Sequence, residues 1–426
     1  MKLSKFNINN DINQKQKILY NSLSSGVLLL ENDVTVNLEE LVHQNNIDID
    51  CNEDLIQELK RGQMIVNDDF NEIDYLILRD RANRFSTNSL GLTIAPTLKC
   101  NFSCPYCYEE GYRNNTMDKD TQEAVVKFVE DKSKGVSNVN ITWYGGEPLL
   151  NMDTIEYLSN RFFEDFSDKV YYSAGIITNG YFLNEEFANR LKEVKVNYAQ
   201  VTIDGCPDTH NKRRILCNGE GTFDRIVSNI KKVCEIIPIH VRINVDKSNI
   251  DELYHLFEHP DIISLKNKVG FYIAPVDDFS NSCSDPACFT ASEFSEKEID
   301  FLKKTFERGF NLLSLSPMGP TICGALSLNS FVIDPKGDIY KCWEHIGREE
   351  EKIGNISSGK WNISHLSKWL LYDCFESSEC RECSVLPVCL GGCPYFKLKT
   401  NTNKCKSIKF NAEKTLELLN RVKSPS

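Results

Sequence analysis

Apolar positions along the chain follow two regimes. Over residues 1 to about 88, short apolar runs come first and helical spacings follow. Phe6-Asn7-Ile8, Lys17-Ile18-Leu19-Tyr20 and Gly26-Val27-Leu28-Leu29-Leu30 read as strands. Leu38, Leu41 and Val42 then show helical spacing, a second helix with Leu55, Ile56 and Leu59 stops at Gly62, and Met64-Ile65-Val66 is another strand. Ile73, Leu76 and Ile77 mark a third helix before the polar linker Ser86-Thr87-Asn88-Ser89. From Gly91 strand and helix alternate, the pattern of a parallel sheet covered by helices. The expected strands are Leu92 to Ala95, Val139 to Trp143, Tyr171 to Ile177, Tyr198 to Ile203, His240 to Asn244 and Val269 to Ala274. Six repeats predict an α/β partial (β/α)6 barrel, in which chemistry gathers at the C-terminal ends of the strands.

Composition narrows the class. With 41% hydrophobic and 26% charged residues in 426, the chain is an ordinary globular protein long enough for two or three domains. No run of 18 apolar residues and no signal peptide is visible, so a cytoplasmic protein without a membrane partner is expected. A net charge of -12 argues against a nucleic-acid partner. The first 90 residues hold 15 acidic and 9 basic side chains, a front end suited either to a basic peptide or simply to solvation. Seventeen cysteines in a reducing compartment point to metal binding rather than to disulfides. Ten fall into two groups with ligand-like spacing. Cys51, Cys206, Cys217, Cys234, Cys283, Cys288 and Cys374 are scattered, and of these Cys283 and Cys288 form a pair to watch.

The first group is Cys100-Asn101-Phe102-Ser103-Cys104-Pro105-Tyr106-Cys107, three thiols directly after a strand-like stretch. Three cysteines leave one corner of a four-iron cube free for a non-protein ligand, whereas a structural zinc site is the other reading of C-x2-C. The C-x3-C-x2-C spacing, with aromatic Tyr106 before the third cysteine, resembles the signature of the radical S-adenosylmethionine (SAM) enzymes. That resemblance implies a 4Fe-4S cluster on Cys100, Cys104 and Cys107, with SAM on the open iron.

Further motifs stand at later strand ends. Trp143-Tyr144-Gly145-Gly146-Glu147-Pro148 offers close backbone approach at the glycines and an acceptor for an ammonium group at Glu147, although Gly-Gly alone is also a plain turn. In the family such a Gly-Gly-Glu-Pro faces the SAM amino group, and Asn179 in Thr178-Asn179-Gly180 faces its ribose and methionine parts. Val201-Thr202-Ile203-Asp204-Gly205, followed by His210-Asn211-Lys212-Arg213-Arg214, resembles the S-x-D-G plus arginine of the sulfatase- and peptide-maturating branch. The resemblance implies a hydroxyl contact from Thr202 and a pair between Arg214 and the SAM carboxylate. Arg242, Asn244 and Tyr272 are polar groups in strands otherwise suited to burial, and belong either to an internal network or to a cavity wall.

The second cysteine group is Cys323, Cys342, Cys380, Cys383, Cys389, Cys393 and Cys405, reached over a bridge with a helix expected from Glu293 to Leu313. Gly337 is placed to turn a hairpin that returns Cys342 towards Cys323. These spacings resemble the SPASM domain, which implies two auxiliary 4Fe-4S clusters and three in all. By that pattern Cys380, Cys383, Cys389 and Cys405 hold the outer one, and Cys323, Cys342 and Cys393 the inner one. Three thiols leave the inner cluster either open or closed by another side chain such as Cys374; two zinc ions are the structural alternative. The strand-then-helix order of residues 1–88 resembles the winged-helix-like peptide-recognition modules of peptide maturases. The expected division is 1–88 leader recognition, 89–276 radical SAM barrel, 277–320 bridge and 321–426 SPASM domain.

The resemblance implies a maturase that forms a thioether in a ribosomally made precursor peptide bearing a leader, served by a small reductant protein (flavodoxin or ferredoxin). The alternative is an anaerobic sulfatase-maturating enzyme, for which Asp277 is the nearest base. A passive metal-holding peptide binder is a third possibility. His345, shortly after Cys342, is expected to be structural or at the surface.

Overall fold

The computed structural model describes residues 1–13, 16–31, 53–109, 111, 115–165, 170–277, 287–312 and 322–423. The helix expected at Leu38, Leu41 and Val42 lies outside the described residues, as do Cys51, Cys283 and the last residue of the bridge helix.

Six strands run parallel in sequence order: β6 (Ser89–Thr97), β7 (Asn138–Gly145), β8 (Tyr171–Thr178), β9 (Val196–Thr202), β10 (Ile239–Val245) and β11 (Gly270–Pro275). Each covers its expected position to within a few residues. Burial alternates along β10, where Ile239, Val241, Ile243 and Val245 face the apolar core while His240, Arg242 and Asn244 take the other face. Register carries that face across the sheet, with Thr202 opposite Arg242 and Arg242 opposite Tyr272. The core itself lies between the sheet and helices such as Phe223–Val233, whose Phe223, Ile226, Val227, Ile230 and Val233 are buried at helical spacing. The sheet is open, with the short β12 (Asn311–Leu312) beyond β11.

On the other side the C-terminal region continues the same sheet. β13 (Ser330–Ile333) pairs parallel with β6, then turns into β14 (Asp338–Tyr340), β15 (Gly354–Asn355) and β16 (Lys360–Trp361). Gly337 holds the hairpin at φ +74°, its N–H donating to Asp334 O, while Asp334 Oδ1 accepts from the N–H groups of Lys336 and Asp338. The expected turn is formed. The bridge helix runs over Ala291–Glu307, closed at its start by a reciprocal Thr290–Glu293 capping box.

The first residues form β1 (Lys2–Leu3) paired with β5 (Ile65–Val66), a three-stranded antiparallel sheet of β2 (Asn7–Asn13), β3 (Gln16–Asn21) and β4 (Val27–Glu31), and two helices, α1 (Glu53–Arg61) and α2 (Glu72–Arg84). These elements do not stand alone. Phe6, Leu23, Ile73 and Leu76 share one apolar cluster with Trp369, Tyr372, Phe375 and Leu386. Ile8, Ile18 and Tyr20 share another with Val385, Val388 and Leu416. At the seam Arg84, 2% exposed, pairs with Asp80 and donates to the carbonyls of Tyr372 (2.8 Å), Leu370 (2.8 Å) and Leu326 (3.3 Å). Arg81 pairs with Asp373 at 2.5 Å, and Ser22 Oγ donates to Ser384 O.

Removing Arg84 strands a buried carboxylate and several carbonyls. Arg84→Met is expected to cost about 3–5 kcal/mol of unfolding free energy in urea titration, and a loss below about 1 kcal/mol would show the seam to be held by apolar contact alone. Burial, then Asp338, pushes the Asp334 carboxyl up to about 6. A carboxyl raised in the folded state contributes stability that is present below its ordinary value and lost as pH rises through the folded one. Asp334→Asn, which keeps an acceptor in the turn, is therefore expected to flatten the fall in Tm between about pH 4 and pH 6.

Candidate active site

The C-terminal ends of β6 to β11 surround a cavity of about 350 Å3. Cys100, Cys104 and Cys107 line it together, on the loop after β6. That loop is pinned by backbone bonds from Ser103 N–H to Ile215 O and from Cys217 N–H to Asn101 O, with Phe102 buried beneath it. Cys107 N–H closes a turn on Cys104 O at 3.1 Å, and Phe102 N–H points at Cys100 Sγ, 3.4 Å away.

Gly145 and Gly146 line the cavity at the end of β7, and the structure gives them a task the sequence did not suggest. A Cβ on Gly145 would stand 2.3 Å from Thr97 O, and one on Gly146 would stand 2.4 Å from Leu98 O and Lys99 O. The glycines let two strand ends touch, so that Glu147 N–H reaches Lys99 O at 2.9 Å. Glu147 corrects its expectation. Its carboxylate has no exposure and is absent from the cavity wall; it accepts from Thr178 Oγ1 (2.7 Å), Asn179 N–H (2.7 Å) and Leu149 N–H (3.0 Å). Burial raises its pKa against those three bonds. It is a brace between the ends of β7 and β8, turned away from the cavity.

Asn179 does line the cavity, with Nδ2 donating to Asn101 Oδ1 at 2.8 Å and lying 4.0 Å from Cys100 Sγ. Thr202 lines it as well. Of the two adjacent arginines, Arg214 faces the thiols, with Nη1 3.6 Å from Cys104 Sγ and 3.4 Å from the Tyr106 hydroxyl. Burial opposes its charge, but Cys104, Tyr106 and Asp204 outweigh it and raise its pKa. Arg213 turns away to Asp246 at 2.6 Å and to Asp204. Tyr106 donates to Asp204, which also accepts from Asn244 N–H, so the aromatic before the third cysteine is anchored to β9 and β10. Arg242 and Asn244 line the cavity, whereas Tyr272 donates to Gln200 Oε1 at 2.6 Å inside a network.

A second cavity of about 580 Å3 lies beside the first, lined by Cys323, Cys342, Cys389, Cys393 and Cys405 among mostly apolar side chains. Cys323 and Cys393 are close enough to raise the Cys342 pKa, after burial and Glu344. Cys389 and Cys405 do the same to Cys380. The run Leu390-Gly391-Gly392 in the left-handed region makes this possible; a Cβ on Gly392 would stand 1.9 Å from Lys404 O, which accepts from Cys393 N–H. Cys374 is buried beside Asp80 and Cys380, in an apolar cluster against which Cys342 and Cys393 pack, and is absent from this cavity's wall. Cys288 is disulfide-bonded, the one departure from the metal reading of the cysteines among the described residues. His345 is buried against Trp369 and Tyr395, its pKa pushed down to about 4 by burial, and is not a surface group.

Pro275, Asp277, Trp343 and Glu344 line both cavities. Asp277 is held by Lys404 at 2.5 Å. Tyr108, Glu109, Tyr144, Trp343 and Glu344 were missed in the sequence; the available signal was their adjacency to Cys107, Gly145 and Cys342. The Tyr108 and Tyr144 hydroxyls share a hydrogen bond, and Tyr144 stacks on Trp343 with ring centres 5.7 Å apart.

Among the described residues no three His, Cys, Asp or Glu side chains draw together round a single metal-ion position; eight of the ten grouped thiols line the two cavities, and Cys380 and Cys383 line neither. The first donor set fits a cluster that chelates SAM. Three thiols share one void, and beside them lies a buried guanidinium whose Nε has no partner in the protein. Among the described residues no helix is long and apolar enough to cross a membrane.

Residues 94–259 match the profile of the Radical SAM superfamily, which implies a 4Fe-4S cluster and SAM. The chain is 29% identical over 374 residues to a cysteine-type anaerobic sulfatase-maturating enzyme of Clostridium novyi (strain NT), covering 78% of this chain and 97% of that protein. In fold it is similar to anSMEcpe bound to AdoMet and the Cp18Cys peptide, at TM-score 0.61 and 18% identity over 78% of this chain and 99% of the other. It is also similar to Streptococcus suis SuiB bound to its precursor peptide SuiA, at TM-score 0.56 and 16% identity over 95% and 98%.

Gly146→Ala is expected to unseat the cysteine loop, because backbone at 2.4 Å has no flexible end to give way. Iron retained after anaerobic reconstitution should fall while the fold persists by circular dichroism. Unchanged iron would mean that the loop tolerates the displacement.

Proposed function

We propose that this chain, whose residues 94–259 match the profile of the Radical SAM superfamily, matures peptides: it abstracts a hydrogen from a ribosomally made precursor and closes a thioether from a peptide cysteine. With its cluster and SAM bound, the first cavity supplies a 5'-deoxyadenosyl radical. Cys100, Cys104 and Cys107 would hold that cluster. Tyr106, Gly145, Gly146, Asn179, Thr202 and Arg214 would orient SAM, with the Arg214 fork suited to its carboxylate. Cys380, Cys383, Cys389 and Cys405 would hold one auxiliary 4Fe-4S cluster, and Cys323, Cys342 and Cys393 another, where three thiols leave room for a substrate thiolate that has lost its proton and an auxiliary cluster would accept the electron released when the C–S bond closes. A flavodoxin or ferredoxin would deliver the electron.

The observation that carries the reading is the join between the cavities. Four residues line both, so a peptide cysteine beside Cys323, Cys342 and Cys393 is adjacent to the void where hydrogen abstraction would occur. Leader recognition by residues 1–88 draws support from two facts. A fold likeness to SuiB over 95% of the chain must take in at least about 67 of the first 88 residues. Among the described residues β4 is also an edge strand, with Val27 and Leu29 exposed, a surface to which an extended peptide can add.

A second reading, formylglycine formation, is favoured by the 97% coverage of the Clostridium novyi relative. The products separate the two, since formylglycine reacts with hydrazides and a thioether does not.

Anaerobic reconstitution tests the core of the proposal. About twelve irons per chain, falling to about eight in a Cys100→Ala, Cys104→Ala, Cys107→Ala variant that no longer releases 5'-deoxyadenosine, is the expected result. Zinc without iron, or release that persists in the variant, would sink it.

A further inference from the structure

The place where the two cavities meet carries chemistry of its own. Glu344 is 7% exposed, lines both cavities, and its Oε2 has no hydrogen-bond partner. A buried carboxyl oxygen without a donor is costly and calls for a ligand. Arg242 stands on the first cavity's wall and is close enough to act electrostatically on Glu344; its Nε is taken by Asn244 Oδ1 at 2.8 Å. Trp343 is 43% exposed, stacked on one side by Tyr144, and lines both voids with the rest of its surface.

We propose that this throat is a binding site for the backbone of an extended peptide, with Glu344 accepting an N–H and Arg242 donating to a C=O while Trp343 packs against the adjoining side chain. A peptide unit presents a donor and an acceptor on opposite edges, and the throat offers one group for each. A lone cation is the poorer fit, because Arg242 and Arg348 both act on the same carboxyl. A lone anion would meet Glu344, with Glu109 and Asp277 also close enough to act on it. Asp277, engaged by Lys404, is a wall of the passage rather than its open acceptor. The site rests on the peptide-maturase reading and deepens it by fixing where the chain would pass from one cavity to the other.

The test uses the full chain reconstituted with iron and sulfide, and fluorescently labelled Cp18Cys and SuiA, the peptides bound by the two structural neighbours. Anisotropy is read for wild type, Glu344→Ala, Arg242→Met, Trp343→Ala and, on the proposed leader-binding β4 edge away from the throat, Leu29→Asp. Loss of about tenfold or more in affinity for Glu344→Ala and Arg242→Met is expected from leaving a buried peptide N–H or C=O unpaired. Unchanged affinity in both, with binding lost only in Leu29→Asp, would overturn the throat and leave the peptide reading standing. Failure of both peptides to bind wild type would overturn the two together. Should Glu344→Ala not fold, single N-methyl substitutions along the bound peptide replace it. One sensitive amide supports the site, and uniform tolerance overturns it.

Discussion

A carboxylate with no access to water sets the geometry of the first cavity. Glu147 joins the ends of β7 and β8 through Thr178 and Asn179, and its own N–H ties both to the loop after β6. Asn179 then carries the connection to Asn101, inside the cysteine loop. A buried carboxyl is tolerable only when it is well hydrogen-bonded, and here three donors reach it. Thiols that share a cluster must hold fixed separations, so the loop bearing them has to be pinned from outside itself. The chain Lys99–Glu147–Asn179–Asn101 does this without placing a carboxylate in the cavity, where it would compete for Arg214.

The second constraint is that sheet and cysteine-rich region are continuous. Because β13 pairs with β6, the β13–β14 hairpin delivers Cys342, Trp343 and Glu344 to the mouth of the first cavity while Cys323 precedes the same strand. Two sets of thiols thereby face one passage. The right hydrogen-bond register at one strand pair is enough to make neighbours of residues more than 200 positions apart.

The six parallel strands were legible because strands covered on one face repeat a strong apolar signal, and the cysteines because their spacing is itself a constraint. Gly337 was legible for the same local reason. What the sequence hid depended on direction. Nothing local distinguishes Glu147, turned inward to a brace, from Glu344, turned into a cavity; each follows a motif residue by one or two positions. Arg213 and Arg214 differ only in which side of a helix end they leave. The polar face of β10 was visible as Arg242 and Asn244, but whether it met a network or a void depended on register with β9 and β11, which no stretch of sequence encodes alone.

The union of the N-terminal elements with the cysteine-rich region follows from the same economy. Residues 322–407 are built of short helices and two- to four-residue strands, and burial raises the pKa of several of their thiols, so this stretch carries little regular structure of its own to oppose the cost of ordering. Phe6, Ile8, Ile18, Leu23, Ile73 and Leu76 supply apolar surface to it from outside, and Arg84 satisfies three of its carbonyls. Asp80, the partner of Arg84, also lines the larger cavity. N-terminal elements that contribute Asp80 to the wall round the thiols cannot move without altering that wall. Their docking therefore holds the three-stranded sheet at a fixed place relative to the cysteine-rich region.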